Sequence, residues 1–407
     1  MHGYPPTSHP CYVTRRNGYV VQRNVVMENP FVYGEIVPRE AFADRDEELD
    51  RLVADLSAAQ KVFLISPRRY GKSSLVRQAL GTLSKQGSLT VDLTVSSYSS
   101  YVAFLEGYAR ALATVETRWE RARTWLTEAI TATRPELRFE ASGRGMGEFA
   151  VAFPAVKTDR DVTRLANEIF ALPGRLAAER KRTVVVALDE FQAIEGFNGG
   201  SVEHALRAAA QQQRKVGYVF AGSEPSLMDK MIGPRRPFYK AGPVMRLEKI
   251  PAATFAEFIE MRFSGSGVRP EPGIGAAIVD LAGNLPYDVQ RLAHETWDDL
   301  RTAGSRKVGL EHLHSTLTRL LGEQDTMFEA IWQRLTLAQR AVLRAVVLQG
   351  GRELLSADVR SRFRLGGPSS IQASLAALIK QDLLLKEGPQ YVVVDSLLRE
   401  WIARKTY

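Results

Sequence analysis

Cysteine is almost missing from this chain of 407 residues, with Cys11 the only one. A lone thiol excludes an intrachain disulfide framework and any zinc site built from cysteines, which suits a reducing compartment. Long apolar runs are missing too. No stretch approaches the roughly 18 consecutive apolar residues that a membrane-spanning helix needs. The opening residues MHGYPPTSHPCYV hold no apolar segment of the signal-peptide kind. These absences point to a cytoplasmic protein with no membrane partner. Acidic residues are in deficit: 54 Lys and Arg stand against 46 Asp and Glu, for a formal charge of +8. That balance admits a polyanionic partner, either nucleotide phosphates or nucleic acid, without choosing between them. The chain is 45% hydrophobic and 25% charged, the composition of a globular protein. Its length exceeds one ordinary core, so about two or three domains are expected.

What is present begins with KVFLISPRRYGKSSLVRQAL, Lys61 to Leu80. Val62 to Ile65 reads as a buried parallel strand, and Leu75, Val76, Ala79, Leu80 and Leu83 make a helical apolar stripe. Between them Ser66-Pro-Arg-Arg-Tyr-Gly71-Lys72-Ser73 fits the phosphate-binding loop template, except that Ser66 stands at the first glycine position. Such a loop curls so that backbone N–H groups converge on a phosphate at a helix N-terminus, which requires permissive backbone near Gly71 more than at Ser66. Ser66, Pro67, Arg68, Arg69, Tyr70 and Gly71 are expected to wrap the phosphates, with Ser74 behind. Lys72, expected at an exposed position, would reach the β- and γ-phosphates, and Ser73 would offer its hydroxyl to Mg²⁺.

Around this unit the chain divides into a tail (residues 1–28), an α/β core (29–250), helices (251–335) and a compact C-terminal unit (336–407). In the tail, Gly18-Tyr-Val-Val-Gln22 reads as a short edge strand. Asp44 or Asp46 is expected to cap a helix with the stripe Leu49, Leu52, Val53, Leu56. Ser88 to Thr94 reads as the next strand, and a long helix is expected from Tyr101 to Ile130. Residues 138–156 read as an inserted hairpin with Gly143, Gly145 and Gly147 at its turn. Those glycines do not form a second nucleotide loop, since neither a strand–helix frame nor a Gly-Lys pair accompanies them.

Thr183-Val-Val-Val-Ala-Leu-Asp189-Glu190 is the second strong motif, a buried-strand run that ends in paired carboxylates. At the carboxyl end of a parallel strand, such a pair lies at the ligand crevice of an open α/β sheet. Asp189 is expected to hold the Mg²⁺ shell, and Glu190 to orient or deprotonate the attacking water. A helix over 202–215 leads into Val216 to Ser223. Ser223 fits two roles, a hydroxyl beside the γ-phosphate or the N-cap of a helix near Pro225.

Six pieces now stand in order: Asn29-Pro-Phe31 with Phe42-Ala-Asp44-Arg45; Pro67 to Ser73; Leu188-Asp-Glu-Phe-Gln192; Ala221-Gly-Ser-Glu-Pro-Ser-Leu227; Pro237-Phe-Tyr-Lys-Ala-Gly242; and Gly283-Asn-Leu-Pro286. Together, over residues 29–405, they resemble the archaeal-type ATPases of the STAND branch of AAA+-like P-loop NTPases. The resemblance implies the layout of origin-recognition ATPases, an αβα core with a parallel sheet, a helical lid and a C-terminal winged helix. It also implies Mg²⁺-ATP as a conformational switch with slow hydrolysis. Val37, Phe42 and Arg45 would lie near the adenine, and Pro286 would pack beside it. Asp44 departs from the family's Phe-x-Gly-Arg box, and Pro286 stands where origin-recognition relatives carry an arginine. Arg291 could substitute for that arginine. Arg235 and Arg236 fit either a contact with a neighbouring subunit's γ-phosphate or a solvated loop.

From Thr336 the pattern reads as a winged helix: 337–348, 357–363 and 369–381 as helices, and 383–394 as two strands joined at Glu387-Gly388-Pro389. Residues 336–407 carry 11 Lys and Arg against 6 Asp and Glu, a surplus suited to phosphates. Ser369, Ser370, Gln372, Ser374 and Lys380 are the candidate base readers, and Arg360, Arg362 and Arg364 suit backbone contact. Double-stranded DNA is therefore one expected partner besides ATP and ADP. A protein partner or nucleotide-dependent self-association is the other.

Overall fold

The computed structural model describes residues 28–115, 119–131, 135–140, 148–197 and 201–405. Cys11, the strand expected near Gly18 and the hairpin glycines Gly143, Gly145 and Gly147 lie outside them. The α/β core runs α1 (Asp46–Ser57), β1 (Lys61–Ile65), α2 (Lys72–Lys85), β2 (Leu89–Thr94), α3 (Tyr101–Ala113), α4 (Trp119–Ala129), β3 (Glu136–Glu140), β4 (Glu148–Ala152), α5 (Asp159–Arg180), β5 (Val184–Asp189), α6 (Ser201–Gln212), β6 (Val216–Gly222), α7 (Pro225–Met231) and β7 (Val244–Arg246).

Five of these strands form one sheet in the order β2-β5-β6-β1-β7, every pair parallel. The period of two along each strand explains why helices cover both faces. Val62, Leu64, Val185 and Ala187 pack with Leu49, Leu52 and Leu75 of α1 and α2. Phe63, Ile65, Val184, Val186 and Leu188 pack on the other face with Phe104, Tyr108 and Phe170 of α3 and α5. A strand covered on both faces has no polar face, hence the unbroken apolar text of β5. Because β6 lies between β1 and β5, three strand ends open onto one crevice: the phosphate loop, Ser223 and the acidic pair.

Local details depart from the sequence reading. Neither Asp44 nor Asp46 caps α1: the cap position is Arg45, which makes no side-chain cap bond, and Asp46 is already in the first turn, where the helix dipole favours an acid. The helix expected over 101–130 is two, α3 ending before the β-branched pair Thr114 and Val115. β3 and β4 pair antiparallel from Glu136↔Ala152, so the hairpin strand begins two residues earlier than read from the sequence.

Beyond the core come α8 (Ala252–Gly265), β8 (Arg269–Pro270), α9 (Ile274–Leu281), α10 (Pro286–Thr302), β9 (Lys307–Val308) and α11 (Leu310–Arg334). Pro286 is the first residue of α10, where its missing N–H leaves nothing unsatisfied. The C-terminal unit holds α12 (Leu337–Gln349), α13 (Ala357–Arg362), α14 (Pro368–Lys380), β10 (Leu384–Glu387), β11 (Gln390–Val393) and α15 (Ser396–Lys405). Glu387 pairs with Gln390 around Gly388 at φ +58°, the glycine-first two-residue turn that suits strand twist.

The lid and winged helix share one apolar cluster, running from Phe255 and Phe263 through Leu313 and Phe328 to Val342, Leu378 and Trp401. The described residues thus make two bodies, the core with an apolar cluster on each face of its sheet and the lid with the winged helix. Of the described helices none is long and apolar enough to cross a membrane.

Candidate nucleotide site

The phosphate loop leaves β1 at Ser66, whose N–H donates to the Gly222 carbonyl at 3.2 Å. Ser66 is buried, and its hydroxyl has no hydrogen-bond partner among the described residues. The loop turns through Arg69 at φ +70° and Gly71 at φ +85°. Gly71 adopts this left-handed backbone freely and sits at the cap of α2. Lys72 is 5% exposed, correcting the exposed position expected for it, because it opens α2 facing Asp189. Its Nζ lies 2.6 Å from Asp189 Oδ1 and 3.6 Å from Glu190 Oε1. Ser73 Oγ donates to Asp189 Oδ2 at 2.6 Å. Burial pushes the Asp189 carboxyl up, but the Lys72 charge and hydrogen bonds from Lys72, Ser73 and the Glu190 N–H outweigh it and hold it below its ordinary value. Ser73 and Asp189 thus bring a hydroxyl and a carboxylate oxygen to one point, hard donors of the kind Mg²⁺ takes. Among the described residues no group of three or more His, Cys, Asp and Glu could hold a metal. An ion here would use these two side chains and complete its shell from phosphate and water.

Glu190 has a left-handed backbone, φ +52°. Its Oε2 accepts from Ser223 Oγ at 2.5 Å and from Gln192 Nε2 at 2.6 Å. The cap position of α7 is Glu224, so of the two roles open to Ser223 the helix cap is not the one it takes. Gln192 had no role in the sequence reading. Its position two residues after the acidic pair was the available signal.

Val37, Phe42, Arg45 and Pro286 line one cavity of about 230 Å³ together with the loop from Pro67 to Ser74, Glu190 and Ser223. Ser66 and Asp189 are not among the residues that line it. The sequence reading missed Tyr33, Phe255, Tyr287 and Gln290, which also line it. The Tyr33 hydroxyl donates to Glu295 at 2.6 Å; burial first, then Glu295, push it up to about 12. Val37 is tied to α2, its N–H reaching Ser74 Oγ at 3.4 Å and its carbonyl accepting from Gln78 at 2.9 Å. The buried Arg45 guanidinium is occupied by Glu48 at 2.7 Å and the Glu248 carbonyl at 2.5 Å. Arg291 lies against Gln324 of α11, outside the cavity. Arg236 binds Glu195 at 3.0 Å and the buried Glu203 at 2.8 Å, so it is an internal ion-pair residue in neither of its expected settings. Arg235 is exposed.

The large side chains of the loop point to the other body. Arg68 meets Asp382 at 3.1 Å. Arg69 reaches Asp288 at 3.5 Å, Asp395 at 3.4 Å and the Val394 carbonyl at 3.2 Å, and lies 5.6 Å from the centre of the Tyr287 ring. Tyr70 donates to Glu387 at 2.8 Å, and Lys249 pairs with the same carboxylate at 3.1 Å. Burial pushes Asp288 above its ordinary value, with Arg69 opposing and Asp395 adding to the rise. The loop backbone wraps the cavity, while Arg68, Arg69 and Tyr70 extend toward the lid and the wing. These contacts edge a cleft of about 1570 Å³ between the two bodies. On α14, Ser369, Ser370, Gln372 and Lys380 are exposed. Ser374 is buried and faces the core, which removes it from the candidate base readers.

The fold, a parallel-sheet αβα core followed by a helical lid and a winged helix, is similar to that of several solved proteins. A family model described as a probable winged helix domain matches residues 326–404. The Walker-type ATPase PABY2304 of Pyrococcus abyssi is similar at TM-score 0.59 and 17% identity, over 92% of this chain and 99% of that one. The Aeropyrum pernix ORC2 protein, in its ADPNP-ADP complexes, is similar at TM-score 0.51 and 14% identity, over 95% and 99%. The Aeropyrum pernix ORC1 protein in complex with DNA is similar at TM-score 0.50 and 14% identity, over 92% and 95%. No curated protein matches the chain.

Proposed function

We propose that the protein is a Mg²⁺-dependent ATPase switch in which the nucleotide sets the position of the lid and winged helix. The observation that carries this reading is the double use of one loop. Residues 67–74 line the cavity proposed for the phosphates, and Arg69 and Tyr70 from the same loop hold Asp395 and Glu387 of the winged helix. A ligand that reshapes the loop must then alter those contacts, and a difference in affinity between two arrangements is what shifts a population.

In the chemistry proposed, Lys72 contributes charge to the β- and γ-phosphates, and Ser73 with Asp189 would hold the metal, which supplies further charge neutralisation. A water oxygen bonds to the γ-phosphorus as the bond to the bridging oxygen breaks, its proton passes to Glu190, and ADP and phosphate leave. Turnover is proposed to be slow, because both arginines of the loop are engaged by the other body.

For the partner we propose double-stranded DNA. The charge surplus of the winged helix, its exposed Arg362 and Arg364 before α14, and the DNA bound to the similar ORC1 support that reading.

The test combines binding with hydrogen exchange. Mg²⁺-ATP is expected to bind the wild type and to change exchange across residues 384–393, and Lys72→Ala should abolish both effects. Because Lys72 is buried against Asp189, its loss should also destabilise the core by up to about 3 kcal/mol, so the melting temperature is measured alongside. Near-wild-type ATP affinity in that variant, or binding without any change at the wing, would overturn the proposal.

A further inference from the structure

We infer that Gln192 is the positioning residue for the hydrolytic carboxylate, a reading that rests on the ATPase function proposed above. Gln192 is 5% exposed and is the second residue of the short helical turn Phe191–Gly196 that follows Glu190. Its amide works in both directions. Nε2 donates to Glu190 Oε2 at 2.6 Å and to Ser223 Oγ at 3.2 Å, while Oε1 accepts from the Ser223 N–H at 3.3 Å.

The consequence is a difference between the two oxygens of Glu190. Oε2 receives two donors, Gln192 and Ser223. Among the described residues Oε1 has only Lys72, at 3.6 Å, and Glu190 lines the cavity. Oε1 is therefore the oxygen left to take the proton of the attacking water. Anchoring one oxygen fixes the direction of the other, which matters because the left-handed backbone at Glu190 is held by its surroundings rather than by intrinsic preference. Only a neutral group with a donor on one atom and an acceptor on another can serve Glu190 and the Ser223 N–H together. An apolar side chain serves neither, and a carboxylate repels Glu190. Space for the amide comes from Gly222, where a Cβ would stand 3.0 Å from Gln192 Oε1 and 2.3 Å from Met228.

The experiment measures ATP turnover and nucleotide affinity with Mg²⁺ and ATP. Gln192→Met keeps length and loses all three hydrogen bonds, so kcat should fall about 10- to 100-fold, the scale of a misplaced catalytic group, with affinity within about twofold. Adding Gln192→Met to Glu190→Gln should cost nothing more, since the carboxylate through which it acts is gone. A residue that merely fills space would lower turnover again in that background, and that result would overturn the inference. Gln192→Glu, equal in size, carries the test should Gln192→Met not fold. Its added charge beside Glu190 should depress turnover at least as strongly, with affinity within about twofold. Wild-type turnover in that variant would count against the positioning role. If wild-type protein hydrolyses ATP and Gln192→Met matches it, the positioning role falls and the ATPase stands. If wild-type protein binds Mg²⁺-ATP without hydrolysing it, both fall.

Discussion

Replacing Arg69 with alanine should loosen the winged helix from the ATPase core. Arg69 sits at φ +70°, and alanine pays the same left-handed cost, so Arg69→Ala reads the side chain alone. That side chain is 31% exposed, with Asp395 at 27% and Asp288 at 6%. Distances of 3.4–3.5 Å to both carboxylates are long, and the exposure screens them, so about 0.5 kcal/mol each is reasonable. The Val394 carbonyl at 3.2 Å adds about 1 kcal/mol, and the Tyr287 ring about 0.5 kcal/mol. The sum, about 2–3 kcal/mol, moves the docked-to-undocked ratio by roughly 30- to 150-fold. Hydrogen exchange without nucleotide should accelerate across residues 384–393 and stay slow in β5, whose six residues are all buried. Arg68→Ala supplies the contrast, since its pair with Asp382 is 56% and 68% exposed and should contribute under about 0.5 kcal/mol. Unchanged exchange at the wing in Arg69→Ala, or an equal effect from Arg68→Ala, would refute the argument.

Two further predictions concern chemistry and partner. Glu190→Gln should retain Mg²⁺-ATP binding while turnover drops roughly 10²–10⁴-fold, the range of general-base contributions. Asp189→Asn should instead weaken metal-dependent binding and lose the tie to Lys72 and Ser73; identical behaviour of the two variants would end the division of labour between them. Removing Arg360, Arg362 and Arg364 together should lower the slope of log affinity for a duplex against log salt by about two, with all sequences weakened alike. Arg362 and Arg364 are exposed, whereas Arg360 is partly buried and its Nε has no partner among the described residues, so it should contribute least. A salt titration with an unchanged slope would take the group out of the interface.

What could be read from the sequence was what local rules govern. The apolar run of β5 admits only a strand covered on both faces, Gly71 before Lys72 marks the left-handed backbone that opens α2, and Gly388-Pro389 writes the wing turn directly. What could not be read depends on partners far along the chain. Arg69 meets Asp395 across 326 positions and Tyr70 meets Glu387 across 317, and nothing near Arg69 or Tyr70 distinguishes a phosphate ligand from a docking side chain. Ser374 and Gln372 differ by half a helical turn and have the same polarity, yet only packing against the core decides that one is buried. Asp44 looked like a cap because its type suits one, while the left-handed backbone at that residue, φ +33°, takes it out of the cap geometry.

The shared core of lid and winged helix turns α11 into a lever arm. With 25 residues it is about 37 Å long, and its apolar residues from Leu313 to Phe328 belong to one continuous buried cluster. The chain returns from the core to this body through residues 247–251, close to the phosphate loop. A tilt of about 10° about that fulcrum would sweep the far end of such a rod through about 6 Å, although no atom of the loop need move by more than a fraction of that. In the switch proposed above, displacements that small at a phosphate are within reach of gaining or losing one oxygen contact, and the shared core would then act as mechanical gearing.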